Sequence, residues 1–347
     1  MGKKEKILRT LDGEYTGYIP VIPVSNLFAA KQSKKSMGEI MSDPVCYAKV
    51  MIDCRKKFGY DGLWAMGSGG VTEALGKGLK DKFGKISKNG ESVILNREAL
   101  KHLNQVKVSE DINFDGIKRA IALMKEEDPE EPIFAIISSP ASTAAVMMDV
   151  GNFYINTVKD PGFVKEVIRR ITEPIVEYIY LLAKIGVDVI WNPMPTLSGT
   201  CISRQIYEDI CRGSNLYFNR KVKECGVRLV AHACGKWDDR MDLLVQEGID
   251  GIHVSECDFP EVCRKYGGKV CMMGDIPSVP VMLLGTEEQV YQTALKQCMT
   301  AVQYGSFILS PDCGMPPDVP PQNVQSMCRA ARDVANQLAK EGSRSEF

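Results

Sequence analysis

The sequence predicts an α/β protein built on a (β/α)8 TIM barrel, with an N-terminal helix and a capping insertion. Eight short apolar runs alternate with longer amphipathic patterns along the 347 residues. Several runs, most clearly Ile133–Ile137, lack polar alternation, which is typical of strands buried on both faces of a parallel sheet. A doubly wound open sheet is the alternative, but no glycine-rich phosphate loop follows the first predicted strand.

The eight apolar runs are the predicted strands. They are Tyr18–Pro23, Gly62–Met66, Ile133–Ser138, Asp188–Asn192, Arg228–Cys234, Gly251–Ser255, Lys269–Gly274 and Phe307–Cys313. Because such a barrel repeats one strand and one helix eight times, we expect a single domain over residues 1–347.

The segments between these runs carry helical signals. Helices are predicted at Pro44–Phe58, Gly162–Ile185, Arg204–Cys225, Asp238–Glu247, Thr286–Tyr304 and Pro321–Lys340. Asp43 is a suitable N-cap for the first of them, with Pro44 at the first helical position. Thr286 followed by Gln289 has the capping-box pattern. Gly186 directly follows another helical pattern, as is common at helix C-termini.

The polar segment after the second predicted strand is longer than a barrel connection requires. We interpret residues 77–130 as an insertion that caps the barrel mouth. A β-hairpin is expected around Asn89-Gly90, because Asn-Gly favours a tight turn. The polar tail 341–347 is expected to be disordered.

Composition limits the classes of function. The 43 Lys and Arg residues balance 44 Asp and Glu residues, so the net charge of −1 argues against a nucleic-acid partner or an anionic membrane surface. The chain starts with charged residues, and no apolar run is long enough for a transmembrane helix. We therefore expect a cytoplasmic protein whose 12 cysteines are reduced thiols. The absence of a C-x-x-C pair argues against a zinc ribbon.

Two predicted strand ends carry candidate metal ligands. His232 and Cys234 are two residues apart on the fifth predicted strand, so their side chains share a face. Cys313 ends the eighth predicted strand, and strand ends of one barrel converge. One imidazole and two thiolates suit zinc and leave a fourth position open. The alternative is a buried histidine beside two unreactive thiols.

The remaining histidines are not predicted as ligands. His102 lies in the polar insertion and is expected to be solvated. His253 lies in the middle of a predicted strand, where a hydrogen-bonded core histidine is expected. Cys257 follows that strand, but no neighbour distinguishes it from an ordinary thiol.

Three segments together resemble the uroporphyrinogen decarboxylase superfamily. They are His232–Gly235, Gly274–Pro277 and Ser310–Pro317. Within it, the chain is similar to the corrinoid-dependent methyltransferase branch, which includes methylcobamide:coenzyme M methyltransferases. The decarboxylases hold porphyrin carboxylates with an N-terminal Arg-x-x-Gly-Arg-like loop, whereas Val24–Lys31 contains no arginine. The resemblance spans nearly the whole chain and is weakest across 77–130.

The resemblance implies that His232, Cys234 and Cys313 are zinc ligands and catalytic residues. It implies transfer of a methyl group between a corrinoid (cobalamin) protein and a small methyl donor or acceptor. That molecule is either a thiol such as coenzyme M or a methoxylated aromatic compound, in which case the reaction is an O-demethylation. Because the chain lacks an Asp-x-His-x-x-Gly corrinoid motif, the corrinoid is expected on a separate partner protein.

Other residues near the predicted mouth are weaker candidates. Glu73 and Asp275 lie at strand ends, where a carboxylate can orient metal ligands. Trp64, Asn192 and Met194 are candidates for an apolar mouth that accepts an aromatic ring or a corrinoid face. Two other functions stay open: a metal-independent decarboxylase, and a non-catalytic module that binds zinc or a corrinoid.

Overall fold

This computed structural model describes residues 1–67, 75, 94, 96–103 and 114–342 of the chain. Within them, seven strands form one sheet whose order follows the chain. The strands are β1 (Leu63–Trp64), β2 (Ile133–Ile136), β3 (Val189–Pro193), β4 (Arg228–Ala233), β5 (Gly251–Val254), β6 (Cys271–Ile276) and β7 (Phe307–Pro311). The pairs β1–β2, β3–β4, β5–β6 and β6–β7 are parallel. The predicted α/β class with a parallel sheet is therefore confirmed.

The prediction of a full strand at Tyr18–Pro23 is wrong. This segment makes only an isolated parallel bridge between Val21 and Leu309. The Ile22 N–H donates to the Leu309 carbonyl at 2.9 Å, and the Leu309 N–H donates to the Pro20 carbonyl at 2.8 Å. Prolines occupy two of the positions in this run, and proline has no N–H to extend a ladder.

The helices surround these strands in the chain order. They are α1 (Lys3–Leu11), α2 (Asn26–Gln32), α3 (Met37–Ser42), α4 (Pro44–Phe58), α5 (Arg97–Leu103), α6 (Phe114–Glu127), α7 (Pro140–Met147), α8 (Val150–Lys159), α9 (Pro161–Ile185), α10 (Arg204–Ile206), α11 (Arg212–Glu224), α12 (Met241–Gln246), α13 (Phe259–Tyr266), α14 (Glu287–Ala301) and α15 (Pro321–Gly342). A π-helical turn, Tyr207–Cys211, joins α10 to α11, and another lies at Ser278–Leu283. Among the described residues, none of these helices combines the length and apolarity that a membrane span requires.

The predicted helix caps are present. The Asp43 side chain accepts from the Val45 N–H at 2.9 Å at the start of α4. Thr286 and Gln289 form both bonds of the capping box at the start of α14. Gly186 ends α9 with φ of 102°, in the left-handed region that a side chain would disfavour. Local sequence chemistry thus fixes these helix ends.

The chain divides into two compact units. The first comprises residues 1–66, 119–134 and the described residues from 249 onward. It contains β1 and β5 to β7, and its longest helices, α14 and α15, pack together. A buried ionic cluster links α1 to the loops before β1 and β2, since Lys3 pairs with Asp61 and Glu131, and Arg55 pairs with Glu131 at 2.7 Å.

The second unit comprises the described residues of 67–118 and 135–248. It contains β3 and β4 and is dominated by α9, which packs against α7 and α11. Buried α9 side chains recur at a spacing of three or four residues, which defines one core-facing stripe. They are Val164, Val167, Ile168, Ile171, Ile175, Tyr178, Ile179 and Leu182.

Parts of the predicted insertion lie outside the described residues. These parts include the expected hairpin at Asn89-Gly90, and the described remainder of 77–130 forms α5 and α6. The tail 343–347 also lies outside them. The single-domain organisation stays a prediction. No disulfide joins any of the 12 cysteines, all of which are described.

Candidate metal centre

The His-x-Cys segment ends β4. His232 is one of the last residues of this strand, is 2% exposed, and pairs in register with Pro193 of β3. Cys234 follows immediately and is half-buried. Gly235 then takes a φ of 84°, and a Cβ atom there would lie 3.1 Å from the Ser198 hydroxyl oxygen. Glycine at this position therefore lets the chain turn directly after the thiol.

The imidazole of His232 lies against an indole ring. The centroids of His232 and Trp191 are 4.5 Å apart, and their planes differ by 19°. Trp191 lies in β3 and is 5% exposed. Because the rings are stacked, rotation of the imidazole out of its plane would collide with the indole. The indole therefore fixes the plane in which the imidazole nitrogens point.

The backbone after Cys234 is held by two large side chains. The Trp237 indole N–H donates to the Cys234 carbonyl at 3.0 Å. The fully buried Arg240 guanidinium donates to the carbonyls of Leu197 and Ile202 at 3.1 and 2.7 Å. These bonds satisfy a buried charge and connect the loop after β4 to the loop after β3.

Cys313 lies two residues beyond the end of β7 and is half-buried. The carbonyl of Pro311, the last residue of β7, lies 2.7 Å from Nε2 of the fully buried His253. Because a carbonyl can only accept, Nε2 of His253 carries the proton. The prediction of a hydrogen-bonded core histidine at position 253 is thus confirmed.

The three predicted ligands come together. One ligand atom from each of His232, Cys234 and Cys313 lies within 4.8 Å of the others. Tetrahedral zinc with Zn–S bonds of about 2.3 Å holds its ligands about 3.8 Å apart, so small side-chain rotations would close the group on an ion. An imidazole and two thiols are also the donor types that zinc prefers. The residues present therefore fit zinc chemically and in spacing.

Asp275 lies in β6, where its carboxylate has polar neighbours in the same unit. Gln297 donates to its Oδ1 at 2.7 Å, and the Cys257 sulfur lies 4.0 Å from Oδ2. Burial raises the pKa of Asp275 to about 7, and the negative charge of Asp312 adds to the rise. A carboxyl group of this kind can exchange a proton near neutral pH.

The other weaker candidates have structural contacts. Trp64 is 1% exposed and donates through its indole N–H to the Pro23 carbonyl at 2.8 Å. Asn192 accepts from the Ser139 N–H at 2.8 Å and so holds the start of α7. Met194 is 1% exposed. Glu73 lies outside the described residues.

Sequence reasoning missed the residues that support the ligands. Trp237 and Arg240 follow Cys234 by three and six residues, and a buried arginine gives no apolar signal. Ser278, which bonds the Asp312-Cys313 segment, is 35 residues from Cys313. The placement of Trp191 directly before Asn192 near a strand end was the available signal, but its stacking depends on strand register.

These features define an α/β protein with a parallel sheet and a cluster of one imidazole and two thiols after two strand ends. The uroporphyrinogen decarboxylase (URO-D) family model matches residues 2–334, and the chain belongs to this family. The predicted family resemblance is therefore confirmed.

Relatives within this family include methyltransferases and decarboxylases. The chain is 23% identical over 340 residues to the methylcobamide:CoM methyltransferase MtaA of Methanosarcina barkeri, covering 95% of this chain and 97% of that protein. It is 25% identical over 236 residues to a uroporphyrinogen decarboxylase of Legionella pneumophila, covering 63% of each. Its fold is similar to that of a solved methyltransferase from Methanosarcina mazei, with a TM-score of 0.79, 18% identity, and coverage of 96% and 99%.

Proposed function

We propose that this protein is a zinc-dependent methyltransferase that moves a methyl group between a corrinoid and a small molecule. The observation that carries the proposal is the approach of His232, Cys234 and Cys313 to within 4.8 Å of one another. The similarity to a methylcobamide:CoM methyltransferase over 95% of the chain supports it. The proposal includes the predicted (β/α)8 barrel, in which the bridge between Val21 and Leu309 stands for the eighth strand.

The residues of the site would divide the work. His232 would supply a nitrogen ligand, and Cys234 and Cys313 would supply thiolate sulfurs. Bound zinc would lower the pKa of a substrate thiol, or act as a Lewis acid on the oxygen of a methyl ether. Three protein ligands leave a fourth position for that substrate atom. Asp275, as a carboxyl group that titrates near neutral pH, would exchange a proton on the substrate side.

The corrinoid would be carried by a partner protein, since the chain has no Asp-x-His-x-x-Gly corrinoid motif. The small molecule would be a thiol such as coenzyme M or a methoxylated aromatic compound. Glu73, Trp64, Asn192 and Met194 remain the weaker candidates for substrate contacts. Of these, Trp64 and Met194 are buried apolar side chains, which suits packing beneath such a site rather than direct contact.

The test combines metal analysis with cobalamin spectroscopy. Purified protein should contain about one zinc per chain, and Cys234→Ser and Cys313→Ser should each lose most of it. Incubation with methylcobalamin and thiols should give the absorbance change of demethylation, and both variants should lose this change. A parallel panel of methoxylated aromatics with reduced cobalamin tests the O-demethylation alternative.

Cys225→Ser is the matched control, because Cys225 is half-buried like both proposed ligands but ends α11. It should keep zinc and activity. Wild-type protein that is free of metal, inactive with cobalamin and active on uroporphyrinogen would replace this proposal with the decarboxylase. Zinc binding without turnover of any methyl donor or thiol would support a binding module instead.

A further inference from the structure

Ser278 forms two side-chain hydrogen bonds to the segment that carries Cys313. It follows β6 at the start of a π-helical turn and is 5% exposed. Its hydroxyl forms a short hydrogen bond with Oδ1 of Asp312, and its backbone N–H donates to the same oxygen at 2.9 Å. The Cys313 N–H donates to the Ser278 hydroxyl oxygen at 3.2 Å.

The direction of these bonds is fixed by chemistry. An ionised carboxylate can only accept, so the single hydroxyl proton of Ser278 points to Asp312. The lone pairs of the hydroxyl oxygen are then available to the Cys313 N–H. One hydroxyl therefore links the carboxylate of Asp312 to the backbone of the next residue, and each bond polarises the other.

The neighbouring backbone of this segment is also held. The Asp312 N–H donates to the Ile276 carbonyl at 2.7 Å, and the Pro311 carbonyl accepts from His253 at 2.7 Å. The Ser278 hydroxyl extends this support by one residue, to Cys313 itself. Only one side-chain torsion separates the cysteine backbone from its sulfur, so the position of the backbone determines where the sulfur lies.

We propose that Ser278 is a positioning residue that places the Cys313 sulfur for metal binding. This inference rests on the proposed function, because it requires that Cys313 is a ligand. Loss of the hydroxyl would leave the Cys313 N–H without this acceptor and would leave Asp312 with one of its two bonds to Ser278. Outer partners of metal ligands typically change metal affinity by about 10–100-fold, and we expect a loss of about 10-fold here.

The experiment compares variants that differ in the hydroxyl alone. Ser278→Thr keeps the hydroxyl, and Ser278→Val has nearly the same shape without it. Ser278→Ala removes the hydroxyl without adding volume. Ser306→Ala is the control, because Ser306 is a buried serine that precedes the opposite end of β7. Circular dichroism selects the variants that fold.

Metal affinity is measured by competition between each protein and a chromogenic chelator for Zn²⁺. Co²⁺ provides a second readout, since its thiolate charge-transfer absorbance reports the number of bound sulfurs. Wild type, Ser278→Thr and Ser306→Ala should bind alike. Ser278→Ala and Ser278→Val should bind about 10-fold more weakly, with reduced charge-transfer absorbance.

Equal affinity of Ser278→Thr and Ser278→Val would overturn the role of the hydroxyl, even if Ser278→Ala does not fold. Wild-type affinity and absorbance in Ser278→Ala would do the same. A wild-type protein that binds no metal would instead remove the proposed function. The two failures are therefore distinguishable in one titration series.

Discussion

The stability of the second unit should depend on the ionisation of Glu247. This residue follows α12, and its side chain is 1% exposed. The Tyr207 hydroxyl donates to its Oε1 at 2.8 Å, and Nε of Arg212 lies 3.7 Å from the same oxygen. Burial raises the pKa of Glu247 to about 7, although the Tyr207 bond and the Arg212 charge oppose the rise.

The sign of the effect follows from the two pKa values. The folded protein holds the Glu247 proton more tightly than the unfolded chain, whose pKa is near 4.5. The protonated carboxyl therefore adds stability that is complete below the unfolded value and is lost as the pH rises through about 7. Between about pH 5 and pH 8 the loss amounts to about 2.5 kcal/mol of unfolding free energy.

Glu247→Gln should remove this dependence. Glutamine cannot ionise, and its amide oxygen can still accept from Tyr207. The stability of the variant relative to wild type should therefore rise by about 2–3 kcal/mol between about pH 5 and pH 8. Urea unfolding at both pH values measures this double difference, in which the titrations of all other groups cancel.

The control is a similar pair on the surface of the same unit. Tyr217 donates to Oε1 of Glu173 at 2.8 Å, but Glu173 is exposed. Because water solvates this carboxylate in both states, Glu173→Gln should shift stability equally at both pH values. A difference between Glu247→Gln and wild type that stays constant across the range would refute the reasoning.

Three further perturbations test other contacts. Arg240→Ala should lower the free energy of unfolding by about 3–5 kcal/mol in urea, because it deletes a fully buried charge that satisfies several carbonyls, and Arg240→Lys should restore little of it. Thr286→Ala should cost about 1 kcal/mol through loss of the α14 capping box, while Thr286→Ser should be nearly neutral. Trp191→Leu should weaken Zn²⁺ binding more than Trp191→Phe, since only an aromatic ring can stack on His232; equal chelator competition by the two would contradict this.

The sequence predicted the strands well where apolar runs were free of proline. Arg228–Cys234 and β4 differ by one residue, whereas the proline-containing run Tyr18–Pro23 makes only a bridge. Helices with caps, such as α4, were found to the residue. The short α7 and α8 were missed because their small and apolar residues show no clear polar face, as the mostly buried α7 illustrates.

The ligand candidates could be predicted because their signal is local. His232 and Cys234 are separated by the strand period, and each predicted ligand lies at or just beyond a strand end. The support for them is not local. Ser278 contacts Cys313 only because β6 and β7 pair with Ile276 opposite Pro311. Glu247, directly before Gly248, has the pattern of an ordinary exposed helix end, and its burial depends on tertiary packing.

Family membership alone does not select the reaction, because relatives of both kinds resemble this chain at 23% and 25% identity. The donor set is more selective. A decarboxylase that works without metal gains nothing from an imidazole and two thiols held within 4.8 Å of one another. Nor does it need an indole stacked on that imidazole, or a serine bonded to the backbone of one cysteine. Arrangement of these neighbours around His232 and Cys313 therefore favours methyl transfer, and metal content is the measurement that separates the two reactions most directly.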